Sequence, residues 1–161
     1  MSRIEDRVRA LGLTLPLSMQ PPAHLALRFQ QVRIVGSRAL ISGHVPQNPD
    51  GSIAAPFGKL GCEISLEQGY AASRLIALGI LGSLRRVLGN LDRVKAWTRV
   101  FGMVNSAPGF GRQPEVINGF SDLILELYGP EAGAHSRSAV GLAELPYSVP
   151  VEIEGEVEFT D

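Results

Sequence analysis

Residues 135–159 read HSRSAVGLAELPYSVPVEIEGEVEF. From Val149 onward, apolar and acidic side chains alternate, and this two-residue period predicts a β-strand over 149–159. One face of that strand would carry the valines, the isoleucine and the phenylalanine, and the other face the four glutamates. The preceding segment predicts a second strand over 135–144, joined to the first through Leu145–Ser148. We therefore expect two consecutive strands in this part of the chain.

The spacing of apolar residues predicts the elements that come before these strands. Helical periodicity runs from about Ser65 to Leu88, and Gly89-Asn90 is a signal for the end of this helix. A second helical segment begins at Pro114 and is expected to end at Gly129-Pro130. A strand that is apolar on both faces lies between the helices, and a hairpin signal at Gly36-Ser37 joins two earlier strands. These three strands are expected over 24–35, 38–45 and 94–105. In the third, alternation assigns one face to Val94, Ala96, Val100 and Val104 and the other to Trp97, Phe101 and Met103.

The N-terminal part of the chain is expected to differ from the rest. Residues 2–12 predict a short amphipathic helix with Ser2 as its cap, and a proline-rich segment follows. We therefore divide the chain into residues 1–22, a helix with a proline-rich lead-in, and residues 23–161, the main domain.

The order ββαβαβ predicts an α+β domain with a single sheet. Right-handed crossovers would place both long helices on the same side of that sheet and leave its other face uncovered. Because several strands are apolar on both faces, the uncovered face would expose a large hydrophobic patch. Self-association with closed symmetry is the simplest way to cover it.

Composition narrows the function classes. Of the 161 residues, 45% are hydrophobic and 19% charged, which is typical of a globular protein. The net charge is -1 and aromatic residues make up 6% of the chain, so a nucleic-acid partner is not expected. The longest apolar stretch, residues 75–84, is too short to span a bilayer, and no membrane partner is expected. The mixed charges of the N-terminus do not resemble a signal peptide.

The single cysteine, Cys62, cannot form an internal disulfide. Together with three scattered histidines it gives no metal-ligand spacing. We therefore expect a cytoplasmic protein whose site needs neither a metal nor another cofactor.

Two charged residues are the first candidates for chemistry. Arg137 stands in a strand of small and apolar residues, where an isolated guanidinium suits bidentate capture of a carboxylate. The alternative is a surface arginine paired with a neighbouring acid. Glu152 is the first of the four alternating glutamates, and for the other three a solvated face is the better interpretation.

Three polar residues are weaker candidates. The amide of Asn118, in the second long helix, would orient a ligand or merely hydrogen-bond at the helix surface. Ser42 and His44 are expected on the same face of their strand, where they would line a pocket. A histidine in such a place is more often a structural residue than a catalyst.

Several segments resemble the Rid/YjgF family of reactive-intermediate (enamine/imine) deaminases. The resemblance rests on Arg137–Val140, then Leu145-Pro146, then Val151–Glu154, in the order that the family shows. Leu40–Pro46 looks like the family's strand end, and Val116–Asn118 is similar to the opening of its second helix. The resemblance covers about residues 24–159.

This resemblance implies a chorismate mutase-like fold, a homotrimer whose sheets form a central barrel, and clefts between subunits. It implies that Arg137 holds the carboxylate of a small imino acid and that Glu152 positions or activates the attacking water. The pocket residues implied are Asn118, Ser42, Gly43, Phe29, His44 and Ser138. Small 2-imino acids would be hydrolysed to 2-keto acids and ammonia, a reaction that needs positioning and proton transfer more than a metal.

The sequence departs from the family pattern at three of its positions. Phe29 stands where well-behaved members have a tyrosine, Ala139 where a cysteine is frequent, and His44 where glutamine is usual. These departures leave the arginine in place but bear on rate and substrate. The alternative is therefore a non-catalytic trimer of the same fold that binds a small carboxylate and regulates a partner.

Overall fold

Three helices and five strands lie within residues 2–160, the part of the chain that the computed structural model describes. In chain order the elements are α1 Arg3–Ala10, β1 Val32–Val35, β2 Arg38–His44, α2 Leu66–Leu88, β3 Val94–Asn105, α3 Gln113–Ala132, β4 Ser136–Leu142 and β5 Val151–Phe159. Short 3-10 turns precede β3 and β5. Apart from α1, the order is the predicted ββαβαβ.

The strands form one mixed sheet in the order β1-β2-β5-β3-β4. β3 and β4 are parallel, and the other neighbours are antiparallel. In the first pair Val35 lies opposite Arg38, so the turn at Gly36-Ser37 has the two residues predicted for it. The α+β class and the chorismate mutase-like arrangement are confirmed.

Local sequence explains where the long helices begin and end. Ser65 caps α2 through a reciprocal capping box with Gln68, and Gly89 ends the helix in the left-handed conformation at φ 77°. In α3, Pro114 occupies the first turn as predicted. At Gly129 the backbone leaves the helical conformation, with φ 81° and ψ 176°, so the predicted stop at Gly129-Pro130 is confirmed, and one short further turn follows to Ala132.

Both long helices pack on one face of the sheet. The core there includes the alternating residues of β5 and the inner faces of α2 and α3. Val151, Ile153 and Val157 are fully buried, whereas the glutamates between them are not. The two-residue period of this strand is confirmed, and it fixes which face of β5 meets the helices.

Two sequence predictions about β1 and β3 are wrong. The strand expected over 24–35 is regular only from Val32 to Val35, because the ladder with β2 does not continue into residues 24–31, where Gln31 accepts a backbone hydrogen bond from Ser42 at 3.0 Å. In β3, Trp97 lies in the core with Val100 and not on the opposite face. A register irregularity between Trp97 and Arg99 adds a residue to the strand, which reverses the alternation at that point.

The face that the helices leave open carries a row of ion pairs along β5. Its ion pairs join β5 to its neighbours: Glu158 to Lys95 at 2.8 Å, Glu156 to Arg38 at 2.5 Å and Glu154 to Arg99 at 3.8 Å. The second face of β5 and of parts of β2 and β3 therefore carries charges, but apolar side chains such as Leu40 and Leu142, each 37% exposed, lie on the same face. That another copy of the chain covers this face stays a prediction.

The N-terminal helix is packed into the domain. Asp92 accepts hydrogen bonds from the backbone N–H groups of Arg3 and Ile4, at 2.7 and 2.9 Å, and from the Ser2 hydroxyl at 2.9 Å. Ile4 is fully buried in the same core as α2 and α3. A carboxylate at a helix N-terminus satisfies free N–H donors and the helix dipole together, which fixes α1 to the turn before β3.

No helix within residues 2–160 has both the length and the hydropathy needed to cross a bilayer.

Candidate functional site

Arg137 lies on β4, the edge strand next to β3, and its guanidinium contacts helix α3. Nη1 donates hydrogen bonds to Asn118 Oδ1 at 3.0 Å and to Ser121 Oγ at 2.9 Å. Nη2 donates to the carbonyl oxygen of Pro114 at 3.2 Å. Three acceptors from a single helix therefore hold the side chain on the helix side of the sheet.

The positive charge of Arg137 has no carboxylate bonded to it. All three acceptors are neutral, and the ion pairs formed among residues 2–160 do not include Arg137. Burial lowers the pKa of Arg137, with the charge of Asp122 acting in the opposite direction. A guanidinium remains cationic under such a shift. The alternative of an arginine paired with a neighbouring acid does not describe this residue, which is free to bind an anion.

A histidine and a serine stand beside this arginine. His135 Nδ1 lies 2.7 Å from the carbonyl oxygen of Gly133, and its Nε2 lies 2.9 Å from Ser121 Oγ. Ser121, His135 and Arg137 line the same cavity of about 330 Å³. Sequence reasoning missed both residues. The available signal was a polar residue, Ser121, on the buried face of an otherwise apolar helix.

Glu152 lies on β5 and points to the open face of the sheet. Its carboxyl group covers Gly43: a Cβ atom placed on that glycine would lie 2.0 Å from Glu152 Oε1. Burial raises the pKa of Glu152, and the nearby charge of Glu154 raises it further. A carboxyl group with a raised pKa is a better proton acceptor near neutral pH than an ordinary one.

Ser42 and His44 do not share a face of β2 as alternation predicted. The register with β5 shifts between Ile41 and His44, so Ile41 and His44 are both buried. The His44 ring, 1% exposed, has Nδ1 2.7 Å from the Ser42 carbonyl oxygen and Nε2 2.9 Å from Ser83 Oγ in α2. Burial lowers its pKa to about 4. His44 is thus a neutral core residue.

A groove of about 570 Å³ runs along the open face beside Ser42. Phe29, whose side chain is 55% exposed, forms part of its wall, and the Ser42 hydroxyl donates to the Gln30 carbonyl oxygen at 2.7 Å. The charged residues that line it are Arg28, Arg33, Arg99, Glu154 and Glu156.

The predicted site residues therefore fall into two groups. Arg137 and Asn118 lie together on the helix side of the sheet. Glu152 and Gly43 are in contact on the open face, where Ser42 and Phe29 line the neighbouring groove. Ser138 lies opposite Phe101 of β3 and follows Arg137, so it faces away from the arginine's side of the sheet. One chain alone does not bring the arginine and the glutamate together.

Within residues 2–160, no three His, Cys, Asp or Glu side chains are grouped so that they would hold a metal ion.

Comparison with known proteins gives consistent matches over nearly the whole chain. A family model described as "YjgF/chorismate mutase-like, putative endoribonuclease" matches residues 5–149. Protein TCP17 of Trypanosoma cruzi is 36% identical over 159 residues, which cover 99% of this chain and 96% of that protein.

Solved structures agree with these matches. Protein Atu1372 of Agrobacterium tumefaciens is 34% identical with a TM-score of 0.87, covering 98% of this chain and 93% of that one. A Shewanella oneidensis protein described as a "putative endoribonuclease" is 31% identical with a TM-score of 0.87, covering 97% and 99%. Escherichia coli TdcF, solved with bound serine, shares the fold at 19% identity and a TM-score of 0.59, covering 91% and 94%.

Proposed function

The chain belongs to the YjgF/chorismate mutase-like family, and from this membership we propose that it is an imine deaminase acting on small 2-imino acids. The observation that carries the proposal is the guanidinium of Arg137, which is fixed by three neutral acceptors and has no carboxylate bonded to it. Such a group suits the carboxylate that every 2-imino acid has.

We place the complete site between two chains. Arg137 and Glu152 belong to opposite faces of the same sheet, so a single copy cannot present both to one small ligand. A homotrimer in which the β4 edge of one copy approaches the open face of the next would bring them together. Ring symmetry would then form three equal sites.

The reaction needs one water molecule: R–C(=NH)–COO⁻ plus H₂O gives R–CO–COO⁻ plus NH₃. Arg137 holds the carboxylate and so fixes the imine carbon. The carboxylate of Glu152 accepts a proton from water as its oxygen attacks that carbon, and the proton then passes to the departing nitrogen. Because the imine is already electrophilic, positioning and proton transfer supply the catalysis.

The remaining predicted residues would shape the pocket. Asn118 orients the guanidinium, Gly43 leaves room for the Glu152 carboxyl group, and Ser42, Ser138 and Phe29 would contact the substrate from the open face. His44 is not part of this proposal, because its ring is buried and both its nitrogens have partners.

A second candidate is a regulatory trimer that binds a small carboxylate without turning it over. It is favoured by Phe29, which supplies no hydroxyl where the family has a tyrosine, and by the serine bound in TdcF, a protein of the same fold. In that case Arg137 would still bind the ligand, and Glu152 would be dispensable.

RNA cleavage, which the family description includes, is not what we propose. The net charge is -1, and Arg38 and Arg99 of the open face are paired with glutamates. A polyanion would gain little from such a surface.

The test is a coupled assay in which an amino-acid oxidase generates imino acids of increasing length and their disappearance is followed. We expect acceleration by the wild-type protein, and a loss of about 100-fold or more in Arg137→Ala and in Glu152→Gln. Glu158→Gln is the matched control, since it removes a glutamate from the same face of β5. Binding without turnover, lost in Arg137→Ala but kept in Glu152→Gln, would select the regulatory alternative.

A further inference from the structure

The hydrogen bond between Ser121 and His135 has no role in the imine chemistry above. Ser121 lies in the middle of α3 and His135 just before β4, and Ser121 Oγ and His135 Nε2 are 2.9 Å apart. Both side chains are held in place by the fold, because Ser121 is 8% exposed and the ring of His135 packs edge-on against Phe120. The pair lies in the wall of the cavity that Arg137 also lines.

The direction of this hydrogen bond follows from the groups around it. The Gly133 carbonyl, 2.7 Å from His135 Nδ1, can only accept, so Nδ1 carries the proton of the neutral ring. Burial lowers the pKa of His135, which keeps the ring neutral at physiological pH. Nε2 is then a bare acceptor, and the Ser121 hydroxyl donates to it.

A serine whose proton points at an oriented histidine is the arrangement of an activated nucleophile. The Gly133 carbonyl plays the part of the third group that fixes the ring. Arg137 adds an electrostatic contribution, since its Nη1 donates to Ser121 Oγ at 2.9 Å. A positive charge at that distance stabilises negative charge that develops on the serine oxygen or beside it.

The cavity indicates what kind of substrate would reach this oxygen. Its volume is about 330 Å³, and besides the three polar residues it is lined by Leu125 and Ala134. That volume suits a small acyl group. Arg137 favours an acyl group that carries a carboxylate of its own.

We propose that Ser121 is a nucleophile, activated by His135, that accepts acyl groups from small esters bearing a carboxylate. Ser121 Oγ attacks the ester carbonyl and forms the acyl–oxygen bond, while its proton passes to His135 Nε2. The ester bond then breaks, and the same proton leaves with the alcohol. Water then hydrolyses the acyl-serine. His135 Nε2 accepts a proton from the attacking water and donates it to Ser121 Oγ as the acyl–oxygen bond breaks. No oxidant or metal is needed.

This activity does not depend on the proposed imine hydrolysis. All its groups belong to one chain, and Glu152 takes no part in it. Glu152→Gln should therefore abolish imine hydrolysis and leave acylation of Ser121 unchanged, so the two proposals can fail separately.

The experiment uses the mono-4-nitrophenyl ester of succinic acid as the probe and 4-nitrophenyl butyrate as its uncharged counterpart of equal chain length. It is done in the Cys62→Ser background, because the exposed Cys62 thiol would react with both esters. We expect a burst of nitrophenolate, a succinyl adduct on the peptide that contains Ser121, and a preference for the charged ester that is lost in Arg137→Gln.

Ser121→Ala should remove the adduct, and His135→Gln should slow its formation by about 100-fold or more. Ser136→Ala is the control, since Ser136 is an exposed serine of the neighbouring strand that donates to the Thr98 carbonyl oxygen. Peptide mapping of the Cys62→Ser protein, in which Ser121 is intact, shows which residue carries the succinyl adduct even if Ser121→Ala fails to fold. An adduct located elsewhere, or no adduct at all, would overturn the proposal and leave Ser121 and His135 as supports for Arg137.

Discussion

The side chains of Arg137 and Glu152 leave the sheet on opposite faces, although the β3 residues beside them, Val100 and Met103, are only three positions apart. Val100 is fully buried under the helices, and its neighbour Arg137 bonds to α3 on that same side. Glu152 lies between Val151 and Ile153, both buried, and so points away from the helices. This relationship is why the proposed site needs two copies of the chain.

Complementation between two inactive variants tests that arrangement. Arg137→Ala and Glu152→Gln, mixed in equal amounts and refolded together, should regain about a quarter of wild-type imine hydrolysis, because one in four random neighbour pairs supplies both residues. The oxidase-coupled assay measures the recovery, and each variant refolded alone is the control. Mixed oligomers detected by native mass spectrometry without any recovered activity would mean that the site does not lie between chains.

The raised pKa of Glu152 has consequences for activity and stability. Only the carboxylate accepts a proton from water, so imine hydrolysis should fall as the pH drops through the raised pKa of Glu152. Burial disfavours the charged carboxylate, so Glu152 lowers the free energy of unfolding at pH values above its folded pKa. This loss disappears at pH values below its pKa in the unfolded chain, where the group is protonated in both states. Glu152→Gln should therefore raise the melting temperature at neutral pH, with the gain disappearing in acid. A Tm difference that is independent of pH would contradict this assignment.

Gly43→Ala tests whether imine hydrolysis depends on the position of the Glu152 carboxyl group, since this variant moves the group but does not remove it. The new methyl group would occupy the place of Glu152 Oε1, now 2.0 Å from the ideal Cβ position. Because this is the far end of a flexible side chain, we expect the carboxyl group to swing aside, with a loss of stability below about 1.5 kcal/mol. Imine hydrolysis should fall by about tenfold or more, while ligand binding through Arg137 changes little. Unchanged kcat would show that the contact with Gly43 does not fix the catalytic geometry.

His44 should contribute to acid sensitivity. Its folded pKa of about 4 lies below the unfolded value, so the stability it contributes is present near neutral pH. That stability is lost as the pH falls from the unfolded pKa toward the folded one, by up to about 3 kcal/mol. His44→Gln should lack this pH-dependent part of the stability. Its free energy of unfolding, measured with urea, should therefore change less between about pH 7 and about pH 4.5 than that of the wild type. Equal pH slopes for the two proteins would exclude His44 as the source.

Much of the fold could be predicted from local signals. Ser65 and Gly89 mark the ends of α2, Pro114 marks the start of α3, and Gly36-Ser37 marks the hairpin, because each acts through its own backbone conformation or cap. The predictions failed where the register between strands decides the outcome. The irregularities at Trp97 and His44 reverse a two-residue alternation. Gly43 is a local mark of the second one, whereas no glycine or proline marks the one at Trp97.

The residues of the candidate site also fall into those that local sequence pointed to and those that only tertiary packing brought together. Arg137, Glu152 and Asn118 were predicted as site residues from sequence, since their segments resemble a known family and their residue types suit a carboxylate and a water, and their roles stay predictions. Ser121 and His135, separated from each other by a kinked helix end, were not. Their contact depends on how α3 packs against β4, which side-chain spacing along the chain does not encode.

The sequence by itself determined the order of the elements and the class of the fold, because caps, turns and hydrophobic periods are local properties of the chain. The family followed from the resemblance of segments such as Arg137–Val140 and Val151–Glu154. Only the tertiary structure decided which side of the sheet each candidate residue occupies. A single extra residue in a strand moves every later side chain to the other face, and the partner strand sets that count. The same packing left the Arg137 guanidinium bonded only to neutral groups and put the Ser121 hydroxyl against His135.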